Sequence, residues 1–138
     1  MNIIVDANIL FAALIKNGIT SKLMFIDDIH LYAPEFLLEE FGKYRNEIIK
    51  KTHRTTNNFD IVLSEISSHI DFIPKSEFQK QMKKAEEISP DKDDSVYFAL
   101  ALQKGMPIWS NENRLKKQNA VMIYSTRDLA QLYSTELK

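Results

Sequence analysis

The sequence predicts an α/β fold, a three-layer α/β/α sandwich around a mainly parallel central sheet. Three observations carry that expectation. Short apolar runs alternate with longer stretches of helical spacing, as in chains of βαβ units with right-handed crossovers. The chain is 138 residues long and 44% apolar, enough for one domain with a real core. No internal repeat, linker or low-complexity segment interrupts residues 1–138.

The elements follow in order. Ile3 to Val5 is a β-branched run and a good buried strand. Asp6-Ala-Asn8 leads into a helix from Ile9 to Ile15, closed by Asn17-Gly18. Thr20 or Ser21 can cap a second helix running through Asp28. Leu31 to Ala33 reads as the second strand, and Pro34 suits the first position of a long helix reaching Lys51. Thr52 to Asn58 is polar and breaks the pattern, and Phe59 to Ile70 is helical again. Phe72-Ile73-Pro74 reads as a short edge strand, since proline cannot donate to a ladder. Ser76 to Ile88 and Asp91 to Lys104 are helices, the second ended by Gly105 as its C′ residue. Pro107 to Trp109 is a strand, followed by a short basic helix from Ser110. Val121 to Tyr124 is the last strand, and Ser125 or Thr126 caps the final helix, Arg127 to Tyr133.

Composition removes several chemistries. There is no cysteine, so disulfides, thiolate zinc sites and cysteine nucleophiles are out. His30, His53 and His69 fall in no metal-ligand spacing. The opening Met-Asn-Ile-Ile-Val-Asp reads as a strand and not as a signal peptide. No apolar run approaches the roughly 18 residues of a membrane span, so the expected location is the cytoplasm, away from any membrane. A net charge of −1 gives no global pull on nucleic acid. Basic residues do cluster locally, at Lys50, Lys51, His53 and Arg54, at Lys83 and Lys84, and at Arg114, Lys116 and Lys117; each run also fits a solvated helix face.

Four acids stand where a strand hands over to a helix or in the first turns of a helix: Asp6, Glu40, Asp94 and Glu112. In a parallel sheet those positions converge on one edge. Carboxylates gathered there repel one another unless a cation neutralises them, and Mg²⁺ or Mn²⁺ suits an all-oxygen set. Each acid also has a plainer role. Asp6 can be an N-cap, although Asn8 stands ready for that job. Glu40 lies roughly 70° from the centre of a stripe formed by Leu37, Phe41, Tyr44 and Ile48, while Glu39 lies nearly opposite and faces water. Asp91 and Asp94 fit a capping box, with Asp94 turned inward beside Phe98 and Ala101 and Asp93 facing solvent. Ser110 can cap the helix that carries Glu112. No one acid is convincing alone; the recurrence of the same placement points to metal-dependent phosphodiester hydrolysis.

Four segments then carry a family resemblance. They are Ile4-Val-Asp-Ala-Asn-Ile-Leu10, Ala33-Pro-Glu-Phe-Leu-Leu-Glu-Glu40, Asp91-Lys-Asp-Asp-Ser-Val-Tyr-Phe-Ala-Leu-Ala-Leu102 and Ile108-Trp-Ser-Asn-Glu112. From Ile3 to the final helix the chain resembles PIN domains, the metal-dependent ribonuclease fold of VapC toxins and of free-standing prokaryotic proteins. The resemblance implies that Asp6, Glu40, Asp94 and Glu112 are catalytic metal ligands for Mg²⁺ or Mn²⁺. It also implies an RNA substrate and products with a 3′-hydroxyl and a 5′-phosphate. Asn8, Ser110, Asn111 and Arg114 become groups that orient carboxylates or touch phosphate. The fourth motif departs from the family's Ser/Thr-x-Asp, with Glu112 reaching one methylene further.

The resemblance also implies a homodimer and, for a toxin, an antitoxin protein as partner. Leu63, Ile66 and Ile70, or the helix from Thr20 to Asp28, can supply apolar surface or core. The alternative is a catalytically weak PIN-like module that binds RNA or protein, kept open by Glu112. A receiver-like domain lacks the acidic pair beside strand one and a suitably placed lysine.

Overall fold

The computed structural model describes residues 1–15 and 18–138, so the helix stop expected at Asn17 lies outside the described residues. Five strands, β1 (Asn2–Val5), β2 (His30–Pro34), β3 (Ile70–Ile73), β4 (Ile108–Trp109) and β5 (Ile123–Tyr124), form one sheet in the order β3-β2-β1-β4-β5. Every pairing is parallel, with Ile4 opposite both Tyr32 and Ile108.

Strand geometry divides the core in two. Successive side chains point to opposite faces. Ile3, Val5, Leu31, Ala33 and Trp109 pack on one face against α1 (Ala7–Ile15), α2 (Ile19–Met24), α3 (Phe36–Lys43), α4 (Arg45–Thr52), α5 (Thr56–Ser67) and α8 (Thr126–Leu132). Ile4, Ile108 and Ile123 pack on the other against α6 (Met82–Ile88) and α7 (Ser95–Lys104). Helices thus cover both faces of a parallel sheet, the layering expected for strands that are apolar on both sides. Ile3, Ile4 and Val5 are fully buried at the sheet's centre, and cutting Ile4 to alanine costs about 2–5 kcal/mol.

Several local expectations are corrected. Pro34 ends β2 instead of opening a helix, and the long helix is two helices broken at Tyr44. Gly42 lowers helix propensity just ahead of the break, and Tyr44 leaves helical geometry with ψ at 13°. The break turns Tyr44 out of the stripe, to 52% exposure, while Leu37, Phe41 and Ile48 stay buried. The helix expected over Ser76 to Ile88 is helical only from Met82; two single 3₁₀ turns, Lys75–Glu77 and Gln79–Gln81, precede it and bury Phe78. Ile70 belongs to the edge strand and not to the helix before it. Ser21 lies inside α2, its hydroxyl donating to the Ala13 carbonyl at 3.1 Å. The helix expected from Asp91 opens with a 3₁₀ turn, Lys92–Asp94, capped by the Asp91 carboxylate on the Asp93 amide, so Asp94 is no capping-box partner.

Other signals match the structure. Gly105 ends α7 at φ +66°, the left-handed conformation that glycine adopts without strain. Ser125 and Asp128 cap α8 reciprocally. Ile66 and Ile70 are buried in the core, and Leu63, partly buried, packs against it. Among the described residues no helix is long and apolar enough to cross a membrane.

Candidate active site

Because all five strands run the same way, their carboxyl ends form one edge, and the acids meet there. Asp6 follows β1, Glu40 rides on α3 after β2, Asp94 precedes α7, and Glu112 follows β4. Asp6, Glu40 and Asp94 line one cleft of about 380 Å³ together with Asn8, Phe36, Tyr44, Asp93 and Tyr97. A larger cavity, about 670 Å³, lies along β5 and α8. It holds one acid, Asp128, already paired with Lys116 at 2.8 Å, so the acidic cluster belongs to the smaller cleft.

Asp6 is held on several sides. It is only 5% exposed, and its Oδ1 accepts the Ile9 amide at 3.0 Å. Asp6 is therefore the N-cap of α1, a role that Asn8 was expected to be able to take in its place. Asn8 lies exposed inside the helix, its own amide turned toward Asp6. The buried Ser110 hydroxyl also bonds Asp6, while its oxygen accepts the Glu112 amide at 3.1 Å. Burial pushes the Asp6 carboxyl above its ordinary value, Glu112 adds to the rise, and the Ser110, Ile9 and Asn8 contacts oppose it. Ser110 thus braces a carboxylate and does not cap a helix; the short 3₁₀ helix beyond it runs Asn113–Lys117.

Asp94 titrates at about 6, raised first by burial and then by the charges of Asp6, Asp91, Glu112 and Asp93. Glu40 is half-buried at the cleft while Glu39 is exposed, and Asp93 is exposed beside the inward Asp94; both assignments follow the helical spacing. Glu112 stands apart from the cleft lining. Its Oε1 accepts from Arg114 Nε at 3.0 Å, and the same guanidinium donates to Asp91 at 3.1 Å. Arg114 is therefore engaged by two carboxylates. Asn111, expected near phosphate, uses its Oδ1 to accept the Thr126 amide at 2.8 Å and tie two loops together.

Tyr97 was not singled out in the sequence. It sits one helical turn after Asp94, and that i, i+3 spacing is the signal that could have found it. Phe36 and Tyr44 flank Glu40 at i−4 and i+4 in the same way.

Among the described residues no three histidine, cysteine or acidic side chains stand ready as a metal-holding group. The donor chemistry nevertheless fits a hard divalent ion: the acids offer only oxygen, and they raise one another's pKa for lack of a counter-charge. Mg²⁺ keeps several waters and takes one or two carboxylates directly, so a looser arrangement of acids suits it.

The fold and the cleft together define an α/β domain with an acidic site at the carboxyl edge of a parallel sheet. A family model for the PIN domain matches residues 4–133, and the chain belongs to that family, one of predicted nucleases. No curated protein matches the chain.

Proposed function

We propose that the protein is a metal-dependent ribonuclease acting in the cytoplasm. The observation that supports this best is the convergence of Asp6, Glu40 and Asp94 on one cleft, with Asp94 lifted to about 6. Perturbed carboxylates in a cleft are a mark of functional sites.

In this reading Asp6, Glu40 and Asp94 hold Mg²⁺ or Mn²⁺ directly or through water. When bound, the ion supplies a water of lowered pKa and charge stabilisation for the phosphoryl transition state. Asp6 is fixed for that task by the Ile9 amide and the Ser110 hydroxyl. Glu112 supports the site from its margin and holds Arg114, from which a phosphate can draw the guanidinium. RNA is the substrate, hydrolysed to a 3′-hydroxyl and a 5′-phosphate. A homodimer, and restraint by an antitoxin protein as in toxin–antitoxin pairs, belong to the same reading.

One observation favours a second reading, a catalytically weak module that binds RNA or protein: Glu112 is tied to Arg114 outside the cleft. Cleavage of a mixed-sequence RNA separates the two. The nuclease reading expects cleavage with Mg²⁺ or Mn²⁺, none with EDTA, and none from a folded Asp94→Asn variant. A folded wild type that leaves several RNAs intact with both metals favours the binding module.

A further inference from the structure

Tyr97 carries a buried hydroxyl with no hydrogen-bond partner among the described residues. Tyr97 as a whole is only 4% exposed, in the core beneath the cleft, a place phenylalanine would fill equally well. The Ala7 amide is turned toward the phenol oxygen without completing a hydrogen bond. Even a completed bond there would use the oxygen as acceptor and leave the phenol proton without one. Buried hydroxyls are normally paired, so an orphan at a site of function points to a state not yet formed.

The neighbours say which state. Tyr97 lines the cleft with Asp6, Glu40 and Asp94, and feels the charges of all three. Asp6 is already anchored by Ile9 and Ser110, and Asp94, the N-cap residue of α7, has the shorter aspartate side chain. Glu40 has the longest side chain of the three, is half-buried on α3, and its carboxylate has no hydrogen bond or ion pair among the described residues. It is the acid able to swing.

Resting on the reading of this cleft as a divalent-metal site, we propose that Tyr97 is a positioning residue whose hydroxyl donates to the Glu40 carboxylate once a divalent cation draws Glu40 inward. The pairing orients one Glu40 oxygen into the cleft and satisfies the orphaned phenol in the same movement. Tyrosine is retained here at a cost to the metal-free fold.

That trade gives effects of opposite sign, read on the full chain without any cleavage assay. In EDTA, Tyr97→Phe melts higher than wild type by roughly 3 °C, since it deletes an unsatisfied buried hydroxyl. In Mn²⁺ titrations by calorimetry the same variant binds about 10-fold more weakly, the usual scale for removing a group that orients a ligand. Ser95→Ala is the control. Ser95 Oγ is the other buried orphan among the described residues, but Ser95 lines a neighbouring cavity without Asp6, Glu40 or Asp94. It should melt higher too and leave Mn²⁺ affinity unchanged. Glu40→Asp keeps the charge and shortens the reach; it should weaken Mn²⁺ binding as Tyr97→Phe does, and the double variant should lose no more than either alone. Unchanged affinity in Tyr97→Phe, a lower melting temperature in EDTA, or additive losses in the double variant each overturn the role of Tyr97. Absence of saturable Mn²⁺ binding by wild type removes the metal reading itself, and this role with it.

Discussion

Arg114 holds Glu112 at 3.0 Å on the outer side of the acidic cleft. The pair keeps the fourth acid near enough to raise the pKa of Asp6 and Asp94 but outside the lining they share. Glu112→Gln deletes that charge, so the Asp94 titration should move down from about 6 when followed by carboxyl NMR. An unchanged Asp94 titration would show that Glu112 acts too far away to matter. Arg114→Ala should leave the denaturant midpoint nearly unchanged, because the guanidinium is exposed and its ion pairs are screened by solvent.

Asp94 ties stability to pH. Its folded value of about 6 lies above the ordinary 3.8, so folding favours its protonated form. The native state binds the extra proton between those values, and metal-free stability should fall as pH rises from about 4 to about 6. Asp94→Asn carries no such penalty. In EDTA at pH 7.5 it should be more stable than wild type by on the order of 1–2 kcal/mol, with the gap closing below pH 4. A variant less stable than wild type at pH 7.5 would sink this account.

The same proton competes with a cation. Metal ligands must be deprotonated, so the melting-temperature gain from 5 mM Mg²⁺ (about physiological excess) should be larger at pH 7.5 than at pH 5. Equal gains at both values would mean that the ion stabilises the fold somewhere other than at Asp94.

Much of this site was legible before any coordinates. Helical spacing chose Glu40 over Glu39, because a 100° step per residue leaves adjacent acids on different faces, and it set Asp94 on the side of Phe98 and Ala101, although a 3₁₀ turn carries Asp94 and Asp93 also borders the cleft. The sheet followed from runs such as Ile3 to Val5, whose burial on both faces leaves little freedom of assignment. What stayed hidden depends on contacts distant in sequence. The break at Tyr44 interrupts an apolar stripe whose spacing runs on from Leu37 to Ile48, and Gly42 was the one local sign of it. That Asn111 Oδ1 accepts the Thr126 amide, 15 residues on, could not be read from the sequence, since the pairing of β4 with β5 brings the two loops together. Tyr97 reads as one more apolar position of α7, since a core aromatic and a core aromatic with an orphaned hydroxyl have the same period.

Ser110 offers the last test, because one hydroxyl serves two acids. It is 1% exposed, accepts the Glu112 amide at 3.1 Å and turns its proton to Asp6. Ser110→Ala removes both contacts while leaving almost the same volume in the core. The Asp6 carboxyl then loses one of the groups that hold its pKa down, so its titration should rise, and the Glu112 amide must find another acceptor. The expected stability cost is about 1 kcal/mol, too little to unfold the chain. The expected loss in Mn²⁺ affinity is about 10-fold, since Asp6 would bind the ion from a looser and more protonated carboxylate. Ser110→Thr keeps a hydroxyl but adds a methyl to a packed site, so it should restore the Asp6 titration and not the stability. A Ser110→Ala protein that binds Mn²⁺ as wild type does would mean that the Ile9 amide alone sets Asp6.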